Sequence, residues 1–514
     1  MVDEPRMSGS GAARPRASAW SLAAAGLVVC FLVLALLGVR GQDSTTDERH
    51  YFGVGREILR THEWVGFGAL LHPPLSYYVD SLPLLWLGDS SPEDPFALLL
   101  CRATSLVVFG VPLLVLVFRW ARELYGPAAG LVALALTAFS PTLLAHAPLI
   151  TPDLPLTATG VLALYLFHRG GHGVGRPWPW GLALGLCLLT KASAWLFVAV
   201  IVIDGSLVAW PRRDRATLAR LAGGLLLAYV TLNVGYGFKG LLDTAGKADL
   251  IARVPNLPLA RLAAHAASPF LPLPYLRATA TQLDVAWNGW PAYLMGHLSM
   301  TGWWYYFLVA LAVKETIPCL LLLAAGLIAF PWKRAGLEER LLLLPPLLFF
   351  VCFSLGKVQI GIRYVLPAFP FLFIFASSLA RLASRRARVL IVLLLAVHAA
   401  AAVRACPDFI AYFNAIAGGP ARGYRWLADS NLDWGQNHTR LLAYAREHHI
   451  AVEPDVLPSA GLVAVRVNRL VGIGDPETYR VLREQYEPVG NVGYNWLIYD
   501  LGQTRGPTGG RAPR

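Results

Sequence analysis

From Trp20 to Arg404 the chain passes through one apolar stretch after another, each closed by a short polar or basic break. No other feature constrains the fold as strongly. Crossing the roughly 30 Å hydrocarbon core of a bilayer takes about 20 apolar residues as a helix. Only helices and closed barrels satisfy their backbone polar groups there. The runs are too long and too uniformly apolar for barrel strands, which predicts helical spans near 20–40, 96–118, 128–146, 154–168, 178–190, 193–210, 217–235, 303–331, 341–355, 364–380 and 389–404. The first run follows Arg6, Arg14 and Arg16, as a signal sequence would. With so many further runs behind it, it reads as an uncleaved first span.

Composition agrees: 56% of residues are hydrophobic and 15% charged, against about 25% charged in soluble chains. The net charge of +12 would raise nucleic-acid binding in a soluble protein. Here the cations fall in short clusters between apolar runs, with no basic face interleaved with aromatics, so no nucleic-acid partner is expected. Six cysteines, Cys30, Cys101, Cys187, Cys319, Cys352 and Cys406, show neither metal-ligand spacing nor a disulfide framework.

The basic breaks also set an orientation, because cytoplasmic loops carry the excess of Lys and Arg. Arg119 and Arg122, Arg169 and Arg176, Arg212 to Arg220, Lys333 to Arg340 and Arg381 to Arg388 fall on one side with the N-terminal arginines. Asp47 and Glu48, the stretch 146–153, the loop 236–302 and the stretch 357–363 then lie outside, as does everything after the eleventh run. The chain therefore divides into a cytoplasmic tail (1–19), a transmembrane region (20–404) with external loops 41–95 and 236–302, a small extracytoplasmic α/β domain (405–501) and a disordered tail (502–514). In the third of these, "GLVAVRV" and "YNWLIYDL" read as strands and Asp475-Pro476-Glu477 as a helix start.

The candidate chemistry gathers on the outer side. Asp47 and Glu48 directly follow the first span and open a helix in which Tyr51, Val54 and Ile58 share a face. An acidic pair at a span end is usually a solvated flank. Here Asp153 ends another span on the same side, and His72 sits in a stiff His72-Pro73-Pro74 turn. Converging carboxylates suit general-base work on a hydroxyl, or a divalent ion. Lys191, Lys314, Lys357 and Arg363 lie in or beside apolar runs on that side, against the usual charge bias. Snorkelling accounts for any one of them, and a membrane-anchored phosphate would account for the set. Asp429, Asn431 and Asp433 resemble the start of a calcium loop, but Trp434 replaces its glycine and Arg440 its bidentate glutamate.

The ordered set resembles a known family. The Asp-Glu pair in the first external loop, "HPPL" and the second acid after two further spans look like the GT-C glycosyltransferases. The branch is the one containing protein O-mannosyltransferases and the bacterial aminoarabinose transferases. "LLTKASAW", "GWWYYFLVALAVK", "IGIRYVLPAFPFL" and "AYFNAIAGGPARGYRWLADSNLDWGQ" are similar to a bacterial subgroup of it. The resemblance implies an all-α polytopic GT-C-like fold and an inverting transferase that takes a sugar from a polyprenyl-phosphate donor. The acceptor would be a lipid, a protein or an envelope glycan, on the extracytoplasmic face of a bacterial inner membrane. It implies Asp47 as the base, Glu48 and Asp153 as acceptor-orienting or metal-holding acids, and His72 and Tyr51 as pocket walls. Arg363 with Lys191, Lys314 or Lys357 would bind the donor phosphate. No cofactor is expected beyond an optional divalent metal ion. The competing readings are a transporter or a binding protein for lipid-linked sugars.

Overall fold

The computed structural model of the chain describes residues 19–61, 63, 71–88, 90–211, 213–253, 265, 268–382 and 384–502. Nearly all of the tail expected to be cytoplasmic and of the tail expected to be disordered falls outside these residues. The chain is an integral membrane protein built mainly of helices. Among the described residues, six are long and apolar enough to cross a membrane: Ala19–Val39, Pro95–Tyr125, Ala192–Ala209, Arg215–Gly235, Ile362–Arg381 and Arg385–Ala405. Pro127–Ala138, Trp178–Leu188 and Ile317–Ala329 are shorter apolar helices.

All eleven apolar runs are helical, but two are broken, each at a hydroxyl residue with proline close behind. The run 128–146 divides into Pro127–Ala138 and Pro141–His146, with the Ser140 side chain accepting from Leu143 N. The run 303–331 divides into Tyr306–Lys314 and Ile317–Ala329, with Thr316 accepting from Cys319 N. A hydroxyl cap followed by proline favours starting a helix over continuing one. Hydropathy is blind to this punctuation.

Asp153–Arg169 is the innermost helix, buried on almost every side. Its middle lies so close to a neighbour that a Cβ on Gly160 would fall 2.3 Å from the Phe197 ring. Asp153 is thereby fixed at one end of the bundle and His168 at the other.

The first loop carries the expected helix, Thr46–Thr61, with Tyr51, Phe52 and Ile58 buried. A short helix, Leu75–Asp80, begins directly after the two prolines. The loop 236–302 holds helices Thr244–Arg253 and Leu273–Asn288 and a hairpin pairing Ala292–Leu294 with His297–Ser299. Beyond 405, a four-stranded sheet has the order Ala451–Val452, Leu462–Arg466, Trp496–Asp500, Gly490–Val492. Its first pair is parallel and the others antiparallel. Helix His438–His448 packs Leu441 and Ala445 against Ala464, Trp496 and Ile498. Both expected strands are present. The helix expected at Asp475 begins instead at Arg480, because Asp475 spends its side chain on a turn with Glu477 N and Thr478 Oγ1.

Candidate active site

Asp47 and Glu48 are adjacent in the first turn of one helix. Successive helical side chains diverge by about 100°, so the two acids enter different surroundings. Glu48 is fully buried and closed in. Arg102 holds it bidentately, Nε to Oε1 at 2.8 Å and Nη2 to Oε2 at 2.7 Å. Ile150 N donates to Oε1 at 3.0 Å and Thr45 N to Oε2 at 2.9 Å. Burial by itself would raise the pKa of Glu48. The Arg102 charge and these hydrogen bonds more than offset it, and the carboxyl is held below its usual value. Arg102 also donates to the carbonyls of Val39, Gln42 and Asp43. The pair therefore ties the end of the first span to the start of the loop helix and to Ile150, three residues before Asp153.

Asp47 faces the other way. Its Oδ2 accepts from Arg363 Nη1 at 2.8 Å, and its side chain is 25% exposed. The same nitrogen stands 3.5 Å from Asp153 Oδ2. Lys191 Nζ donates to Asp153 Oδ1 at 2.7 Å. Four residues that the sequence singled out, from four separate parts of the chain, thus form one line of alternating charge: Lys191, Asp153, Arg363, Asp47. Arg363 lies over Trp434, with its carbon 4.3 Å from the ring centroid, and Lys191 Nζ lies 4.9 Å from that of Tyr364. Arg363 Nε is buried without a hydrogen-bond partner among the described residues.

Tyr51 and His72 form a wall beside this line, their ring centroids 5.7 Å apart, with Tyr77 on the other side of Tyr51 at 5.8 Å. Burial, and then the Lys191 charge, push His72 well below the usual imidazole value, so its ring is neutral at neutral pH. Its Nδ1 is buried without a partner among the described residues. Burial and the Asp47 charge push the Tyr51 phenol well up, so its hydroxyl keeps its proton.

Three residues are not brought to this line. Glu48 is spent on Arg102. Lys314 is buried and donates to the carbonyls of Ile410 and Asn431, both at 2.7 Å, below the Phe413 ring. It braces the segment after the last span. Lys357 is half-buried over Trp287, between Gly356 and Val358, at the rim of a cavity described below.

The sequence Asp429 to Asp433 sends its three side chains to different partners. Asn431 accepts from Ile362 N at 2.9 Å and donates to Tyr306 Oη at 2.9 Å, which seats Arg363. Asp433 accepts from Asn468 N at 3.0 Å and from Asn495 Nδ2 at 3.3 Å. Asp429 adopts a left-handed backbone, φ 55°. Burial, opposed by the hydrogen bond from Ser430 N and by Arg363, pushes its carboxyl up to about 7. The post-span segment is also bound to the loop helix, since Thr46 N donates to Trp434 O at 2.9 Å and Asp43 caps Thr439 N at 2.8 Å.

Sequence reasoning missed Arg102, Tyr364, Trp434 and the placing of Asp429. Arg102 lay inside an apolar run, where an unexplained cation was the available signal. Asp429 and Trp434 stood out only as parts of a failed calcium loop, and nothing local marks Tyr364.

Lys191 and Tyr364 line a cavity of about 410 Å³. Its remaining lining is mostly apolar, including Trp195, Leu196, Leu283 and Phe353. An ammonium in the wall of a mostly apolar cavity suits an amphiphile with an anionic head.

The family model described as dolichyl-phosphate-mannose-protein mannosyltransferase matches residues 72–235, a stretch that holds His72, Asp153 and Lys191. No curated protein matches the sequence. The crystal structure of ArnT from Cupriavidus metallidurans in the apo state is 15% identical, over 93% of this chain and 98% of that one, with a TM-score of 0.50. The same protein bound to undecaprenyl phosphate is 15% identical, over 93% and 97%, with a TM-score of 0.51. The fold is thus shared with ArnT from end to end. The resemblance to GT-C glycosyltransferases read from the sequence stands on both findings.

Proposed function

We propose that the chain is an inverting glycosyltransferase that moves a sugar from a polyprenyl-phosphate donor to a lipid, protein or envelope-glycan acceptor. The reading places it in a bacterial inner membrane with its site on the extracytoplasmic face, where nucleotide sugars are not at hand and a lipid must carry the sugar. One observation carries the reading: the charged line from Lys191 to Asp47 begins, at Lys191, in the wall of the apolar cavity. The 405–501 segment is read as a small extracytoplasmic α/β domain whose loop after the last span completes the site.

In this reading the polyprenyl chain lies in the cavity and the phosphate meets Lys191 and Arg363, with Lys357 at the entrance. Asp47 is the base, being the most exposed acid of the line and held on one oxygen only. It takes the acceptor proton as the acceptor attacks the anomeric carbon. The bond from that carbon to the phosphate oxygen breaks, and its electron pair leaves with the phosphate, whose growing charge Arg363 and Lys191 stabilise. One displacement inverts the anomeric centre, so no covalent sugar–enzyme intermediate is needed. Asp153 holds the two cations in place, and Tyr51 and His72 shape the acceptor side. The line does not fit a divalent ion, because Lys191 and Arg363 already stand on the Asp153 oxygens and Arg363 on Asp47. No step is routed through a metal there.

The test is transfer in reconstituted membranes from a radiolabelled polyprenyl-phosphate sugar pool, comparing the native chain with Asp47→Ala at equal expression. Loss of transfer with donor binding retained is the expected result. Equal transfer in both removes Asp47 from the mechanism. Binding without transfer in the native chain, across lipid, protein and glycan acceptors, overturns the transferase reading.

A further inference from the structure

The far end of the innermost helix, about 22 Å from Asp153 at 1.5 Å per residue, holds a second group of titratable side chains that transfer does not use. His168 lies in the last turn of Asp153–Arg169. The chain then reverses through Gly170 and Gly171, and His172 N returns to Phe167 O at 3.1 Å. His172 stands at φ 57°, in the left-handed region that a side chain rarely adopts. The reversal sets its ring edge-on to that of His168, with centroids 5.6 Å apart. Glu338, in the first turn of helix Leu337–Leu355, completes the group.

We propose that His168, His172 and Glu338 bind one divalent transition-metal ion, of which zinc is the fitting probe, at the end of the bundle opposite the transfer site. One ligand atom from each of the three lies within 4.8 Å of the others. Ligands on a tetrahedral ion stand on the order of 3.4 Å apart when its bonds are about 2.1 Å long, so small side-chain rotations close the site.

Three further observations point to an ion. First, His172 is 4% exposed, and its Nε2 is buried without a hydrogen-bond partner among the described residues; His168 Nδ1 is buried in the same state. Second, the opposite nitrogen of His172 is already oriented. Nδ1 lies 2.6 Å from Asp204 Oδ2, and Asp204 is itself fully buried and held by Arg340 Nε at 2.7 Å. A carboxylate accepts only, so Nδ1 carries the proton and Nε2 presents a lone pair. A carboxylate behind a histidine is the usual support of a metal-binding imidazole. His168 is fixed in turn by stacking on Trp120 at 5.7 Å. Third, Glu338 is not spent on its helix: Glu339 makes the capping bond to Gly336 N, at 2.8 Å. The Glu338 carboxylate makes no hydrogen bond or ion pair among the described residues. Two imidazoles, one carboxylate and room for a water form a donor set that zinc takes.

The ion would join the turn after one helix to the start of another. The opposite ends of those same helices carry Asp153 and the cavity residues Cys352 and Phe353. The site is therefore a tie between the two helices that frame the transfer site, and it stands or falls independently of what is transferred.

The experiment uses the full chain in detergent, without a polyhistidine tag, stripped by chelator and titrated with Zn²⁺ alone and with Co²⁺ alone. One zinc per chain is expected, with a tetrahedral cobalt absorption band and a zinc-dependent rise in melting temperature. His172→Ala and Glu338→Gln should each lower zinc affinity at least tenfold and abolish the thermal rise. Asp204→Asn should lower affinity about 10–100-fold, and His448→Ala, on the exposed end of a distant helix, should leave it unchanged. Glu338 is only half-buried, so Glu338→Gln keeps the test open if His172→Ala does not fold. Absence of stoichiometric zinc in the native chain, or undiminished affinity in Glu338→Gln, overturns the proposal.

Discussion

Asp47 and Glu48 share one helical turn and one chemistry, yet the structure uses them in opposite ways. Around Glu48 every interaction is complete: a bidentate arginine, two backbone donors and no solvent. Around Asp47 they are incomplete: one contact, partial exposure, and an arginine with a nitrogen to spare. A fully satisfied buried ion pair holds chain segments together and has nothing left with which to bind a ligand. An unsatisfied one is costly to keep and is available for work. The Glu48–Arg102 pair is best read as the fixed frame against which the Asp47–Arg363 pair is aimed.

Substitutions at the two positions should separate these roles. Asp47→Asn should lower transfer by about 10²–10⁴-fold, the range for loss of a general base, while the melting temperature stays near that of the native chain. A large thermal loss in this variant would erase the contrast. Glu48→Ala should act the other way, costing about 3–5 kcal/mol of stability by leaving Arg102 buried and unpaired, read as thermal unfolding in detergent. Since the Glu48 pKa is lowered in the folded state, its stabilising contribution is present above its ordinary value near 4.5 and lost as pH falls through the folded value. Glu48→Gln should remove that acid-side slope.

Smaller effects sharpen the picture of the open side. Lys191→Met should raise the apparent KM for the donor about tenfold, in keeping with a charge-assisted hydrogen bond worth about 1.5–3 kcal/mol. A fall in kcat alone would move Lys191 from binding the phosphate to stabilising its departure. Asp429→Asn should change transfer only a few-fold at neutral pH. Because the Asp429 carboxyl titrates at about 7, close to Arg363 and Asp47, the native pH–rate profile should bend near that value and the variant profile should not. A bend that persists in the variant belongs to another group.

Much of the site was legible before the fold. Lys191, Asp153, Arg363 and Asp47 each stand out in the sequence as charges beside apolar runs, and the structure joins them. Lys314 was out of place by the same test, yet it braces two carbonyls. A charge that must be explained can be explained by structure as readily as by chemistry. The zinc-binding group proposed for the far end was not legible at all. His168 and His172 are four residues apart but do not share a helix, and Glu338 is far away along the chain.

Local runs of the sequence were enough to mark a membrane protein, its apolar helices and the strands that follow the last of them. These follow from the length and composition of local runs, because solvation acts on each run separately. That Glu48 is closed in by Arg102 while Asp47 stays partly open, that Asn431 seats the backbone beside Arg363, and that Trp434 covers Arg363 emerged only with the packing of distant segments. Those outcomes depend on which groups from distant segments arrive to satisfy a charge. A hydrogen bond acts over about 3 Å, far too short a reach for sequence spacing to foretell.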